Sequence, residues 1–282
     1  MSEDLFFVGG APKSGTTWVT LLLDAHPEIL CRGEGHFITN LSREISKALT
    51  AYNKEITSKN NVVFSEVDQA FPLLTKADAT MVLRMAVLCQ LAKLSGQPGI
   101  RALGEKTPDN VIYMALLWQM FPDAKLINVV RDGRDVALSA WRHGMRLHPK
   151  WNLETYKDFS GYVPVMAKAW ARNLQAAELA AQAAPDQVLS IRYESLLADP
   201  HDVLGQMLAF LGRENTQPLR QRCIEAAQFE KLSGGRAAGV EDRGSFFRKG
   251  QAGDWWEAFS ARDREVYTEI AGEALARYGY DP

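Results

Sequence analysis

The stretch FFVGGAPKSGTTWVTLLLDAHPEI, residues 6–29, decides the fold. LFFVGGA (5–11) reads as a short buried strand ended by Gly9 and Gly10. TTWVTLLLDAH (16–26) then carries apolar residues at helical spacing and stops before Pro27. A strand, a glycine loop and a helix make the opening half of a βαβ unit. Gly10 and Gly15 have the spacing of the phosphate-binding pattern G-x-x-x-x-G-K-[ST], but Thr16 stands where that pattern has its lysine. The loop's own lysine is Lys13, inside it. Successive N–H groups of Lys13, Ser14, Gly15, Thr16 and Thr17 can cradle an anion at the helix N-terminus, whose dipole is equivalent to about half a positive charge. The hydroxyls of Thr16 and Thr17 can donate as well.

Working outward, ALLWQMF (115–121) is helical, AKLINVV (124–130) is an apolar strand, and RDGRDVALSAWRH (131–143) turns into another helix. QVLSIRY (187–193) is a third strand, after a long alanine-rich helix around Trp170–Ala183. Apolar strands alternating with helices predict an α/β fold, a P-loop-type parallel β-sheet flanked by helices. Residues 38–100 are helical and irregular without a βαβ pattern, and are expected to form a helical insertion over the site. With no linker, repeat or low-complexity tract, the chain reads as a single domain over 1–282.

The composition is that of an ordinary globular protein, with 46% hydrophobic and 23% charged residues. Against 34 acidic side chains there are 32 basic ones, a net charge of −2, which argues against a nucleic-acid or general polyanion binder. Cys31, Cys89 and Cys223 have no metal-ligand spacing and read as free or buried thiols of a reducing compartment. No metal site is expected. The N-terminus shows no signal peptide, and no apolar run is long enough to span a bilayer, so a cytoplasmic enzyme is the expectation.

Two further segments carry chemistry. Arg131 lies just past a buried strand, at the end where open α/β sheets bind ligands, and Ser139 comes eight residues later on the following helix. A guanidinium can fork two hydrogen bonds onto a phosphate and the hydroxyl can add a third; a surface ion-pair network with the neighbouring aspartates is the plainer reading. FFRKGQAGDWW (246–256) places Arg248, Lys249 and Gly250 in a basic, glycine-rich loop able to bring backbone close to an anion, or simply solvated.

Together, PKSGTTW (12–18), VVRDGRDVALS (129–139) and FRKGQAGDW (247–255) resemble the sulfotransferases that use 3′-phosphoadenosine 5′-phosphosulfate, PAPS. The resemblance implies that Lys13 reaches the bridging oxygen and sulfonate of the donor. It implies that Arg131, Ser139, Arg248, Lys249 and Gly250 hold the 3′-phosphate. Tyr193 falls where the family has a tyrosine near the adenine, Phe229 where it has a stacking aromatic, and Trp18 is a third candidate for the adenine wall. A sulfuryl donor has no β/γ-phosphate pair, so a lysine within the loop can serve without the post-glycine lysine and without a metal.

Cytosolic small-molecule sulfotransferases take the acceptor's proton with a histidine in a K-[ST]-H segment; GEKTPDN (104–110) has Pro108 there instead. LLDAHPEILCRGEGHF (22–37) resembles the stretch of tyrosylprotein sulfotransferases in which a glutamate after a glycine is the base, and the match falls on Glu34. His36 is the second candidate, its ordinary pKa being nearer neutrality. Lys106 reads as a second cation at the sulfuryl group, or as the ion-pair partner of Glu105, and Thr107 as a contact to a reacting oxygen. His26, His143, His148 and His201 read as structural or solvated. The expected reaction is sulfuryl transfer to a hydroxyl or amine of a small-molecule, lipid or carbohydrate acceptor, in a pocket shaped by 38–100 and by Trp151, Tyr156, Phe159 and Tyr162. An ATP- and magnesium-using P-loop kinase and a non-catalytic nucleotide-binding module are the competing readings.

Overall fold

The computed structural model describes residues 3–237, 239–242, 245 and 249–281. Five parallel strands form one sheet in the order β2-β3-β1-β4-β5: β1 Asp4–Gly10, β2 Ile29–Gly33, β3 Ala102–Lys106, β4 Lys125–Val130 and β5 Val188–Arg192. The register pairs Val8 of β1 with Lys106 and Ile127, Gly33 with Lys106, and Val130 with Arg192, so the C-terminal ends share one edge. β1, β4 and β5 coincide with the three strands legible in the sequence. β2 and β3 do not announce themselves, because ILCRG and ALGEK end in polar or charged residues that belong to the site. Gly104 sits mid-strand because a Cβ there would lie 2.2 Å from the ring of Phe6.

Alternation along the strands sends neighbours to opposite faces. Phe6, Val8, Ile127 and Val129 pack with α1 (Thr16–Asp24) on one face, while Phe7, Leu126 and Val130 face the other. The first cluster also takes in α9 and α10, Pro200–Leu211 and Gln217–Ala226 in chain order, through Leu204, Leu208 and Cys223. The second face is covered by α5 (Gly133–Leu147), α7 (Phe159–Ala183) and α13 (Ala261–Arg277), where Trp170 and Tyr267 are fully buried.

Between β2 and β3 the chain makes one π-helical turn, Phe37–Leu41, that runs directly into α2 (Ser42–Val63); α3 (Lys76–Ala92) leads back. Leu83, Val87 and Leu91 anchor α3, and Phe37 and Ile38 the turn, but α2 itself buries no side chain. A different device holds it. Asn53 and Leu74 exchange two hydrogen bonds, at 2.7 and 2.9 Å, and Asn60 and Phe71 exchange another two, at 2.9 and 3.0 Å. Seven helical residues advance about 10.5 Å and three extended residues about 10 Å, so the two clamps keep step. The remaining short helices, in chain order, are α4 (Met114–Met120), α6 (Pro149–Tyr156), α8 (Tyr193–Ala198), α11 (Phe229–Leu232) and α12 (Trp255–Ala258).

Candidate active site

The residue or loop that follows each of the five strands lines a single cavity of about 410 Å³. Lys13 follows β1, Glu34 β2, Thr107 β3, Arg131 β4 and Tyr193 β5. This is the edge at which open parallel sheets bind ligands.

The β1 loop is held in left-handed backbone at Lys13, φ 75°, and Gly15, φ 102°. A Cβ on Gly15 would also lie 2.5 Å from the Tyr193 ring, so space and conformation both demand glycine. Ser14 is fully buried, and its Oγ has no hydrogen-bond partner among the described residues. Burial, and then the nearby charges of Arg146, Arg131 and Lys106, bring the Lys13 ammonium down from 10.5 to about 8, with Glu34 opposing. Mutual repulsion among these buried cations is what an anion bound at the loop would relieve.

Beside it stands an aromatic wall. The Trp18 indole donates to the Ala227 carbonyl at 2.9 Å and meets the Tyr193 ring edge-on at 5.9 Å. Phe229 lies against Gly250, whose φ is 68° and where a Cβ would come within 2.6 Å of the ring. Arg131 stacks over Tyr193 at 4.6 Å and donates to the carbonyls of Lys13 at 3.3 Å and Gln251 at 3.0 Å, which leaves its buried Nε without a partner among the described residues. Asp135 ties the C-terminal loop to α5, accepting the N–H of Gly253 at 2.6 Å and of Trp255 at 3.1 Å. Burial raises the Asp135 carboxyl above its usual range, with Arg131 opposing. Lys249 reaches Asp254 at 2.7 Å. Asp135 thus supports the loop from the interior, and Asp132 forms a buried pair with Arg134 at 2.9 Å at the start of α5, so neither belongs to a surface network.

On the other side of the β1 loop, one Glu34 oxygen receives Lys106 Nζ at 2.5 Å and the other lies 3.2 Å from His36 Nε2. Each carboxylate oxygen retains a further lone pair for a proton or donor. Lys106 therefore pairs with Glu34 and not with Glu105. Adjacent positions on β3 point oppositely, and Glu105 is instead the buried acceptor for Gly35 N–H at 2.7 Å, the Thr107 hydroxyl at 2.6 Å and Asn110 Nδ2 at 2.8 Å. It fixes both loops that carry the site, and nothing local in GEKTPDN reveals this.

Fourteen of the sequence-predicted residues line the cavity: Lys13, Gly15, Thr16, Thr17, Trp18, Glu34, His36, Thr107, Arg131, Ser139, Tyr193, Phe229, Lys249 and Gly250. Ser14 is buried within the loop and Lys106 stands behind Glu34. Arg248 lies outside the described residues. His26, His148 and His201 serve structural or surface contacts, His26 with the Glu214 carbonyl at 2.9 Å and His201 with Gln221 at 2.6 Å, while His148 precedes α6. His143 differs from expectation: it lines this cavity and a second one of about 520 Å³. Burial first, and then the charges of Lys13 and Arg146, lower its pKa. The second cavity is walled by Leu138, Trp141, Met145 and Phe159 and shares Lys13 and Ser139 with the first. Of the aromatic residues expected to shape a pocket, Phe159 does so; Tyr162 backs Trp141 at 5.5 Å, Tyr156 backs Tyr162 at 4.8 Å, and Trp151 is 56% exposed.

The sulfotransferase family model matches residues 5–218. The chain is a member of the sulfotransferase family. Among its sulfotransferase relatives, protein-tyrosine sulfotransferase 1 of Danio rerio is 27% identical, over 99% of this chain and 72% of its own length. A putative protein-tyrosine sulfotransferase of Caenorhabditis briggsae is 26% identical over 99% and 90%. The fold is shared with mouse sulfotransferase SULT7A1 complexed with PAP, at TM-score 0.60 and 20% identity over 99% of this chain and 88% of that one. It is shared too with the sulfotransferase domain of the Synechococcus PCC 7002 olefin synthase, at TM-score 0.57 and 17% identity over 100% and 96%. Membership in a sulfotransferase family replaces the kinase reading of the glycine loop. In this sulfotransferase, no helix of the described residues is long and apolar enough to cross a membrane, and the described residues hold no metal-binding cluster of histidine, cysteine and carboxylate groups.

Proposed function

We propose that the protein transfers a sulfuryl group from PAPS to an acceptor hydroxyl, with Glu34 as the base. The observation that carries this reading is a single cavity joining an anion cradle and an aromatic wall to a carboxylate held by a lysine. The residues present fit an adenosine bisphosphate: Ser14 Oγ and Arg131 Nε are buried polar atoms awaiting a partner, and Gly15 and Gly250 let the Tyr193 and Phe229 rings close in where a Cβ would clash. Arg131, Ser139, Lys249 and Gly250 would hold the 3′-phosphate, with Tyr193, Phe229 and Trp18 against the adenine. When bound, PAPS supplies an activated sulfuryl group and leaves as the bisphosphate, PAP. Lys13 and Lys106 set positive charge at the reacting end, where charge stabilisation counts most. Glu34 accepts the hydroxyl proton, and His36 orients its second oxygen.

For the acceptor we read a phenol, the side chain of tyrosine in a polypeptide. Relatives named as protein-tyrosine sulfotransferases and the Trp141–Phe159 cavity beside Lys13 both support it. A small phenolic molecule is the second reading, favoured by a volume of about 520 Å³, within the roughly 300–1,000 Å³ usual for small-ligand sites. The α2–α3 hairpin covers the base rather than that cavity, since Leu41 and Glu44 at its foot line a cleft with Glu34 and His36. Three unpaired thiols suit a reducing compartment, the cytoplasm.

Thermal unfolding tests the donor. PAP at a hundred times its Kd stabilises by about 2.7 kcal/mol, and AMP or magnesium ATP at the same concentration should give much less. Glu34→Gln should lower turnover at least about a hundredfold while leaving the PAP shift intact. A shift confined to magnesium ATP, or normal turnover in the variant, would overturn the reading.

A further inference from the structure

The two cavities meet along Lys13, Ser139 and His143, which line both. Away from that seam each has a cation of its own, Lys249 in the nucleotide cavity and Arg142 in the Trp141–Phe159 cavity. One carboxylate joins them. Asp254 Oδ1 receives Lys249 Nζ at 2.7 Å, and Asp254 Oδ2 lies 3.6 Å from Arg142 Nη1. Arg142 Nη1 stands 3.5 Å from Glu241 as well. The Asp254 side chain is only 12% exposed, and its loop is fastened to α5 where Asp135 accepts the N–H groups of Gly253 and Trp255.

The two pairs are unequal. At 2.7 Å Lys249 makes a charge-assisted hydrogen bond, whereas at 3.6 Å Arg142 is held by charge alone. Low exposure makes both attractions stronger than they would be in water. A phosphate that engages Lys249 competes with Asp254 for it, and what Lys249 gives up falls to Arg142. The carboxylate is free to respond in this way, because its side chain caps no N–H of α12, which starts at the next residue.

We propose that Asp254 is a positioning residue that couples the two substrates: when the donor's 3′-phosphate engages Lys249, Asp254 draws the Arg142 guanidinium out of the acceptor cavity. What remains facing the acceptor is the apolar wall of Trp141, Met145 and Phe159, which suits a phenol ring. The inference rests on the sulfuryl-transfer reading and deepens it by naming the residue that links donor to acceptor. Because such coupling is reciprocal, a bound phenol tightens the donor by the same factor.

The test titrates the full chain with N-acetyltyrosinamide, an uncharged phenol, in a calorimeter. The protein is first saturated with PAP, or given AMP, which lacks the 3′-phosphate, at the same concentration. Wild type should bind the phenol about tenfold more tightly with PAP than with AMP. Asp254→Asn keeps the shape and loses the charge; it should still bind PAP, yet bring the two phenol affinities within about twofold. Arg142→Met should do the same from the other end. Equal phenol affinities in wild type, a tenfold difference that survives in either variant, or no measurable phenol binding to the PAP-loaded protein would each overturn the proposal. Failure of PAP itself to bind wild type would instead overturn the transfer reading beneath it.

Discussion

Raising the pH should release PAP through Lys13. Its ammonium titrates near 8 in the free protein because burial and three neighbouring cations disfavour its charge. A bound polyanion reverses that balance and returns Lys13 toward its ordinary 10.5. Binding is therefore strongest while the free lysine is protonated, below pH 8, and weakens as pH rises through the window between about 8 and 10.5. With those two values, the free lysine is about 1% protonated at pH 10 and the bound one about three-quarters, so affinity should fall roughly seventyfold between pH 7 and 10. Calorimetry in buffers of different ionisation enthalpy reads the same linkage directly, as uptake of about 0.9 proton per PAP at pH 9. Lys13→Met should bind PAP weakly at every pH and take up almost no proton. A pH-independent affinity in wild type, or an unchanged slope in Lys13→Met, would refute the reasoning.

Gly15→Ala puts a Cβ 2.5 Å from the Tyr193 ring on a backbone with φ 102°, so it should cost about 1–3 kcal/mol in chemical denaturation and most of the PAP affinity. Glu105→Ala leaves Gly35 N–H and the buried Thr107 hydroxyl without their acceptor, while Asn110 Nδ2 keeps the Val8 and Glu105 backbone carbonyls at 3.3 and 3.4 Å. At about 1–3 kcal/mol for the hydroxyl stranded in the interior, a loss of that order is expected, with turnover down at least about tenfold and PAP affinity changed less than about threefold. Parallel denaturation, turnover and PAP titrations check both variants, and a Glu105→Ala protein of normal stability would count against the supporting role.

Much of the cavity's lining was legible because its residues come in contiguous loops that follow strongly apolar strands. PKSGTTW, Arg131 with Ser139, and Lys249 with Gly250 each carry their chemistry within a few positions, and the apolar runs before Lys13, Arg131 and Tyr193 identify their strands. β3 was hidden because a five-residue central strand gives two positions to Glu105 and Lys106 and one to a glycine required by Phe6. Glu105 and Asp135 were missed for a different reason. Their partners Gly35 and Gly253 lie 70 and 118 residues away, and no local pattern encodes such pairs. His143 read as ordinary because the features that distinguish it, Lys13 and two cavities, are supplied by the fold.

The strand order has a bearing on how such an enzyme can change. Glu34, His36 and Lys106 all fall within one uninterrupted stretch of chain, entering on β2 and leaving on β3, the two neighbours at one margin of the sheet. The loops that suit the nucleotide come from before and after that stretch. A chimera that replaces residues 29–110 as a block would exchange the carboxylate and its supports while keeping the nucleotide loops and the Trp141–Phe159 cavity; β3 on β1 is the one strand pairing it would cut, and α1 against β2 the packing it would have to rebuild.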